Sequence, residues 1–325
     1  MEVTVYEDPA CSWCWAFQPV STIFEYEFRD RIAIRHAMAG LRDRPPADAD
    51  FFAEQCRKAG EVFEMPFDRG IWKKRLLRST FPACRAVVAA SLIEPGAGSR
   101  LLRRLREAFH VEQVLIDDAE TILRLAAEVG IDVEALGENI ASGRVDALFE
   151  RDRNEASRLG FGLPTLVFRS GRSEPSAVLE GAVPYEDILA ALAACGVDIR
   201  ERKRFQDTPE CWQRLFAIHC RLTPTEIRTV SDLDPGKLER RLGEVGVRLR
   251  GHFFEAPPTR ANEGQDAPED PPSGPERLAE DPLISPDLCA LVSGSTLEAS
   301  ASMAAPVAAS PAAPGVPDPG EDEAT

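Results

Sequence analysis

The first 28 residues run an apolar strand, Val3-Thr4-Val5-Tyr6, straight into Cys11-Ser12-Trp13-Cys14 and on into a helix-periodic segment. Strand, CxxC and helix in that order commit the chain to an α/β unit whose loop delivers Cys11 to a helix N-terminus. Unpaired N–H groups there favour thiolate over thiol, and Cys14, one turn on, can resolve a mixed disulfide. Trp15, Phe17, Val20, Ile23, Phe24 and Phe28 recur at near-helical spacing. Ile32, Ile34 and His36 then alternate with polar or small residues as a second strand, completing a βαβ unit.

A mainly helical stretch follows. Asp50–Gly60, Ile71–Leu77, Phe81–Ile93, Ser99–Phe109, Ala119–Gly130, Val133–Ser142 and Val145–Leu159 each carry helix formers in periodic order, separated by breakers such as Pro66, Pro95-Gly96 and Gly130. The period changes after Gly162-Leu163-Pro164-Thr165: Leu166-Val167-Phe168 reads as a strand, Ser170-Gly171-Arg172 as a turn, and Ala177–Glu180 as its partner strand. Tyr185–Cys195 closes the unit as a helix. This order predicts an α/β domain over residues 1–200 with an all-helical insertion over about 45–145. Residues 203–255 read as a separate small unit, with helices at Trp212–Arg221, Thr225–Val230 and Pro235–Val245 and an alternating hairpin segment at Val247–Phe254. Helix, turn, helix and ribbon resemble a winged-helix module. Its mixed charge favours protein contacts over DNA.

The net charge of −16 is unevenly spread. From Pro257 to Thr325 there are 13 acidic and 2 basic residues, so −11 resides there and −5 in the first 256 residues. The same segment holds 13 of the 26 prolines and buries too little apolar surface to offset its ordering entropy, so it reads as a disordered acidic tail. Leu283–Val292, with Cys289, is its one apolar island. So acidic a chain is not expected to bind nucleic acid. No apolar stretch is long enough to span a bilayer, and no secretory signal precedes the CxxC, so a reducing cytoplasmic location is expected. Eight cysteines in 325 residues are too few for a disulfide scaffold.

A CxxC also serves zinc, but zinc requires a second ligand pair, and Cys56, Cys84 and Cys195 are isolated while Cys211 and Cys220 are spaced around an apolar helix face. Redox chemistry takes precedence. Pro164 at a strand start is ordinary when taken alone; it gains weight from the CxxC far upstream. Cys84 reads as a buried small hydrophobe and Trp15 as packing, while Trp13 reads as an exposed wall beside the thiols. Glu7 and Asp8 could raise thiol pKa values or simply be solvated, and the Arg-rich run Arg100–Arg106 reads as an exposed helix face. His36, His110, His219 and His252 are scattered without ligand or nucleophile spacing.

Asp8–Trp15, Phe81–Ala86, Ala108–Glu112, Leu125–Gly130 and Gly162–Thr165 together resemble the DsbA family, in its intracellular FrnE-type and 2-hydroxychromene-2-carboxylate-isomerase-like branch. The resemblance covers about residues 1–198 and implies a thioredoxin fold with the helical insertion between its halves. It also implies Cys11 as attacking thiolate, Cys14 as resolving thiol and Pro164 as a cis-proline beside them, with Trp13, Leu163, Pro164 and Thr165 holding substrate. The Ser-Trp dipeptide departs from the Pro-His of the periplasmic oxidant, so strong oxidising power does not carry over. Isomerase and glutathione-transferase relatives often replace the first cysteine by serine; both are kept here. With its added C-terminal unit the chain also resembles DsbA-like adaptors that present a client to a Clp protease. The expected function is dithiol–disulfide exchange on protein thiols, without cofactor or metal, with glutathione or thioredoxin able to recycle the pair. The alternatives are an adaptor holding a client through the C-terminal unit and, more distantly, a glutathione-dependent isomerase or transferase.

Overall fold

The computed structural model describes residues 1–255 except Arg69, 71–75, Phe161, Arg172 and Ser173. Most of the Ile71–Leu77 helix, part of the Ser170–Arg172 turn and the whole acidic tail with its Leu283–Val292 island therefore lie outside the described residues.

Four strands form the first sheet: β1 (Glu2–Glu7), β2 (Ala33–Met38), β3 (Thr165–Arg169) and β4 (Ala177–Glu180), in the order β2-β1-β3-β4. β1 runs parallel to β2 and antiparallel to β3, so Val5 lies between His36 and Leu166. Both faces of β1 are covered, which is why Val3, Thr4, Val5 and Tyr6 are all buried. The segment after β1 divides into α1 (Ser12–Ala16) and α2 (Gln18–Phe28) instead of one continuous helix. Pro19, near the start of α2, has no N–H to continue the ladder from the turn before it.

The insertion carries α3 (Ala49–Phe63), α4 (Phe81–Ala90), α5 (Ala97–His110), α6 (Ala119–Glu128), α7 (Val133–Ala141) and α8 (Arg144–Leu159). Asp48, Asp118 and Asp132 cap α3, α6 and α7 through their carboxylates. Leu101, Leu102, Leu105 and Phe109 of α5 fill the insertion core with Val87, Leu123, Leu136 and Phe149. α9 (Tyr185–Ala194) returns to the sheet and packs Ile188 and Leu192 against Val3, Val5 and Phe168. These strands and helices form a thioredoxin-like fold with an all-helical insertion.

Residues beyond 203 form α10 (Pro209–Phe216), β5 (Arg221–Leu222), α11 (Pro224–Ser231), α12 (Pro235–Glu244), β6 (Arg248–Arg250) and β7 (Phe253–Glu255), with sheet order β5-β7-β6. The helix expected over Trp212–Arg221 stops at Phe216. Pro224 disfavours helical geometry at Thr223, and the chain ahead of it extends to pair Leu222 with Phe254. The hairpin expected over Val247–Phe254 turns at Gly251, whose φ of +57° suits a residue without a side chain.

α2 is the shared element. Val20, Phe24 and Phe28 face the sheet core, while Tyr26 enters the C-terminal cluster with Trp212, Leu215, Ile227 and Leu242. Glu226 closes the capping box of α11 and also accepts from Arg103 of α5 at 2.6 and 2.9 Å and from Thr22 of α2 at 3.0 Å. Arg103 is 5% exposed and Glu226 fully buried, so each leaves an uncompensated charge if the other is removed. Arg103→Met is expected to cost about 3–5 kcal/mol in urea unfolding, and Arg103→Met with Glu226→Gln to recover part of that loss.

Candidate active site

The loop after β1 is held by one carboxylate. Asp8, fully buried, accepts from the Ala10 N–H at 2.8 Å, the Leu41 N–H at 2.7 Å, the Thr80 hydroxyl at 2.7 Å and the Cys84 thiol at 3.4 Å. It thus ties the approach to Cys11 to the loop after β2 and to the start of α4. Cys11 then occupies the N-cap of α1, where the Cys14 N–H donates to its sulfur at 3.3 Å. The Cys11 thiol also lies 3.8 Å from the Leu163 carbonyl, across a cis Leu163–Pro164 bond. Cys11 keeps 6% of its surface and Cys14 only 1%, so Cys11 is the more accessible sulfur.

The other expected site residues take distinct places. Trp13 is half-buried instead of exposed, its indole N–H donating to Gln55 Oε1 of α3 at 3.0 Å, which ties it to the insertion. Thr165 is buried and donates its hydroxyl to the Gly162 carbonyl at 2.5 Å, bracing the turn that carries Leu163 and Pro164. Trp15 is fully buried, with Arg103 over its ring at 4.9 Å and Phe253 of the C-terminal unit against its edge at 6.4 Å.

Beneath the thiols lies a charged network that departs from three sequence expectations. Glu7 and Asp8 are buried, not solvated. The Arg100–Arg106 run is not an exposed face: Arg103, Arg104 and Arg106 are 5%, 9% and 3% exposed because distant carboxylates cover that side of α5. Two of the scattered histidines also belong to the network: His36 contacts Glu7, and His219 contacts Gln18 at 3.2 Å. Arg106 donates to Glu7 at 2.5 Å and to Gln18 Oε1 at 3.3 Å, and its Nε has no hydrogen-bond partner among the described residues. Burial alone would raise the Glu7 carboxyl, but the charges of Arg106 and His36 outweigh it and draw its pKa down to about 2. Burial pushes the Cys14 thiol well up, reinforced by its hydrogen bond with Cys11, and the positive charge of Arg106 opposes this. Burial would lower the Arg106 guanidinium, but Glu7 outweighs it and holds the cation charged. Each partner of Arg106 lies far away in sequence, so helical periodicity gives no signal for it; the buried acid at the end of β1 is the one local hint.

Among the described residues no group of three or more His, Cys, Asp or Glu side chains is placed to hold a metal ion, and no helix is long and apolar enough to cross a membrane.

A family model described as thioredoxin matches residues 5–189. The chain is similar to the ClpXP adapter protein SpxH of Halalkalibacterium halodurans, 24% identical over 261 residues, covering 77% of this chain and 84% of the relative. It is likewise similar to SpxH of Bacillus subtilis, 24% identical over 269 residues, covering 79% of this chain and 86% of the relative. A solved structure from Nitrosomonas europaea, described as a candidate protein disulfide isomerase, shares the fold with a TM-score of 0.53 and 24% identity, covering 59% of this chain and 95% of that one.

His110 provides a test of the packing beside the thiols. Its ring stacks on Trp15 at 6.1 Å and meets Phe67 and Phe109 edge-on. Burial, with Arg106 adding to it, lowers its pKa to about 3. The unfolded chain therefore takes up this proton first, and the contribution to stability, complete above about pH 6.5, is lost as pH falls towards 3. His110→Phe removes the site. The gap between wild-type and variant unfolding free energies is expected to shift in the variant's favour across that window, measured by urea titration at stepped pH.

Proposed function

The chain belongs to the thioredoxin family, and on that premise we propose that it is a dithiol–disulfide oxidoreductase acting on protein thiols through Cys11 and Cys14. The observation that carries this reading is the meeting of two distant segments at one sulfur: Cys11 Sγ caps α1 by receiving the Cys14 N–H at 3.3 Å, and lies 3.8 Å from the Leu163 carbonyl.

In the reducing direction the Cys11 thiolate attacks a substrate disulfide. The substrate S–S bond breaks, a Cys11–substrate disulfide forms, and the departing thiolate takes a proton. Cys14 then loses its proton and attacks Cys11 Sγ, releasing the second substrate thiol and leaving a Cys11–Cys14 disulfide. Two electrons have passed to the substrate. Because burial holds the Cys14 thiol high, the positive charge of Arg106 matters most at this second step. The reverse sequence oxidises a substrate dithiol. Trp13 and the Leu163-Pro164-Thr165 turn flank the substrate chain, glutathione or thioredoxin recycles the pair, and no cofactor enters. This chemistry suits a cytoplasmic location.

A second reading has its own support. The similarity to SpxH adapters spans 261 residues, well beyond the thioredoxin match ending at residue 189, and so includes much of the C-terminal unit. In that reading the same platform holds a client for a Clp protease and the cysteines act as a switch. A glutathione-dependent isomerase or transferase is a weaker third reading, since both cysteines are retained.

Insulin reduction with dithiothreitol separates the first two. The wild-type chain is expected to accelerate it, Cys11→Ser to return it to background, and Cys14→Ser to accumulate a mixed disulfide on Cys11 seen by non-reducing mass analysis. No acceleration by a folded chain whose Cys11 still alkylates would favour the adaptor.

A further inference from the structure

The cation beneath the thiols is tied to the C-terminal unit through a single chain of side chains. His219 lies between α10 and β5, is 8% exposed, and places Nε2 at 3.2 Å from Gln18 Nε2. Gln18 opens α2, and its Oε1 accepts from Arg106 Nη1 at 3.3 Å. Arg106 also donates from Nη2 to Glu7 at 2.5 Å. The polarity of this chain admits one arrangement. A guanidinium only donates, so Gln18 must turn its carbonyl to Arg106 and its amide N–H to His219. His219 must then accept through an unprotonated Nε2. Burial, joined by the positive charges of Arg103, His36 and Arg106, keeps the imidazole neutral, as this arrangement requires.

We infer that His219 is a positioning residue for the dithiol centre: by accepting from Gln18 it locks the Gln18 carbonyl onto Arg106 and holds that guanidinium beside Cys11 and Cys14. The C-terminal unit is thereby part of the redox centre. This rests on the oxidoreductase reading and adds to it a group that lies beyond the 5–189 match of the thioredoxin family. If the acceptor is removed, the buried Gln18 NH2 loses its partner, and the side chain leaves Arg106 to satisfy that group elsewhere. Glu7 alone then retains the guanidinium. A cation held less firmly opposes the effect of burial on Cys14 less, so the reduced pair reaches its thiolate form less readily and the Cys11–Cys14 disulfide gains.

Three variants of the full chain test this. His219→Phe keeps a ring and removes the acceptor, His219→Gln restores a neutral acceptor, and Gln18→Leu breaks the link from the thioredoxin side. The readout is the equilibrium constant of the Cys11–Cys14 pair against defined mixtures of reduced and oxidised glutathione, with melting temperature measured in parallel. His219→Phe and Gln18→Leu are expected to shift that constant towards the disulfide by about three- to thirtyfold, with His219→Gln within about twofold of wild type. Wild-type constants in His219→Phe and Gln18→Leu, with only the melting temperature lowered, would overturn the inference. Should His219→Phe not fold, Gln18→Leu, which leaves the C-terminal unit unaltered, decides the matter. A wild-type chain that forms no Cys11–Cys14 disulfide under oxidised glutathione instead overturns the oxidoreductase reading, and this inference with it.

Discussion

Everything in this structure depends on the buried arginine face of α5. Taking a guanidinium out of water costs several kcal/mol unless a carboxylate meets it with good geometry. Arg103, Arg104 and Arg106 are each met: Arg103 by Glu107 and Glu226, Arg104 by Glu112 and Glu128, Arg106 by Glu7. Those acids come from β1, from α5 and α6 and the loop between them, and from α11. The face is therefore satisfied only when the first strand, the insertion and the C-terminal unit are all in place. The hydrophobic clusters give each part its own core; the arginines hold the parts to one another.

The same face sets the electrostatics of the thiols. Glu7 is negative and close to Cys14, and unpaired it would oppose thiolate formation. Arg106 neutralises it, and the same positive charge opposes, without reversing, the upward push of burial on Cys14. His36 approaches Glu7 from β2 and lies 3.9 Å from Glu25 of α2, where burial alone would lower its pKa but the acids raise it. The charge state under the CxxC is thus a property of the cluster, not of Glu7 alone. Forming the Cys11–Cys14 disulfide removes the ionisable thiols from beside this cluster, while the hydrogen bonds of Arg106 remain those to Glu7 and Gln18.

What could be read from the sequence follows from how far each signal travels along the chain. The CxxC, the strand before it and Leu163-Pro164 are local patterns, and the elements around them form where periodicity places them. An α/β domain with a helical insertion was legible for that reason, while the thioredoxin-like fold was legible through the resemblance of those motifs to the DsbA family. The division of the CxxC helix at Phe17 was signalled only by Pro19, two residues into α2, which carries less weight than six apolar residues in register. Arg103 and Arg106 were illegible in principle from a helical wheel. Leu101, Leu102, Leu105, Ala108 and Phe109 mark one face of α5 as core, and the opposite face, being charged, reads as solvent. Glu7, Gln18 and Glu226, which meet α5 in space and are remote from it in sequence, show that the second face is buried too.

That double burial bears on how the two functional readings relate. A unit joined to the thioredoxin core only by a linker could bind a client without regard to the state of the thiols. Here Phe253 packs on Trp15, Glu226 pairs with Arg103, and His219 contacts Gln18, all within the layer next to the CxxC. Any free energy by which the thiol state biases that layer is felt equally by whatever binds the C-terminal unit, because coupling between two equilibria is reciprocal. On the two proposed readings, exchange chemistry and client holding would be two uses of one coupled structure, joined through the arginines that Glu7 and Glu226 cover.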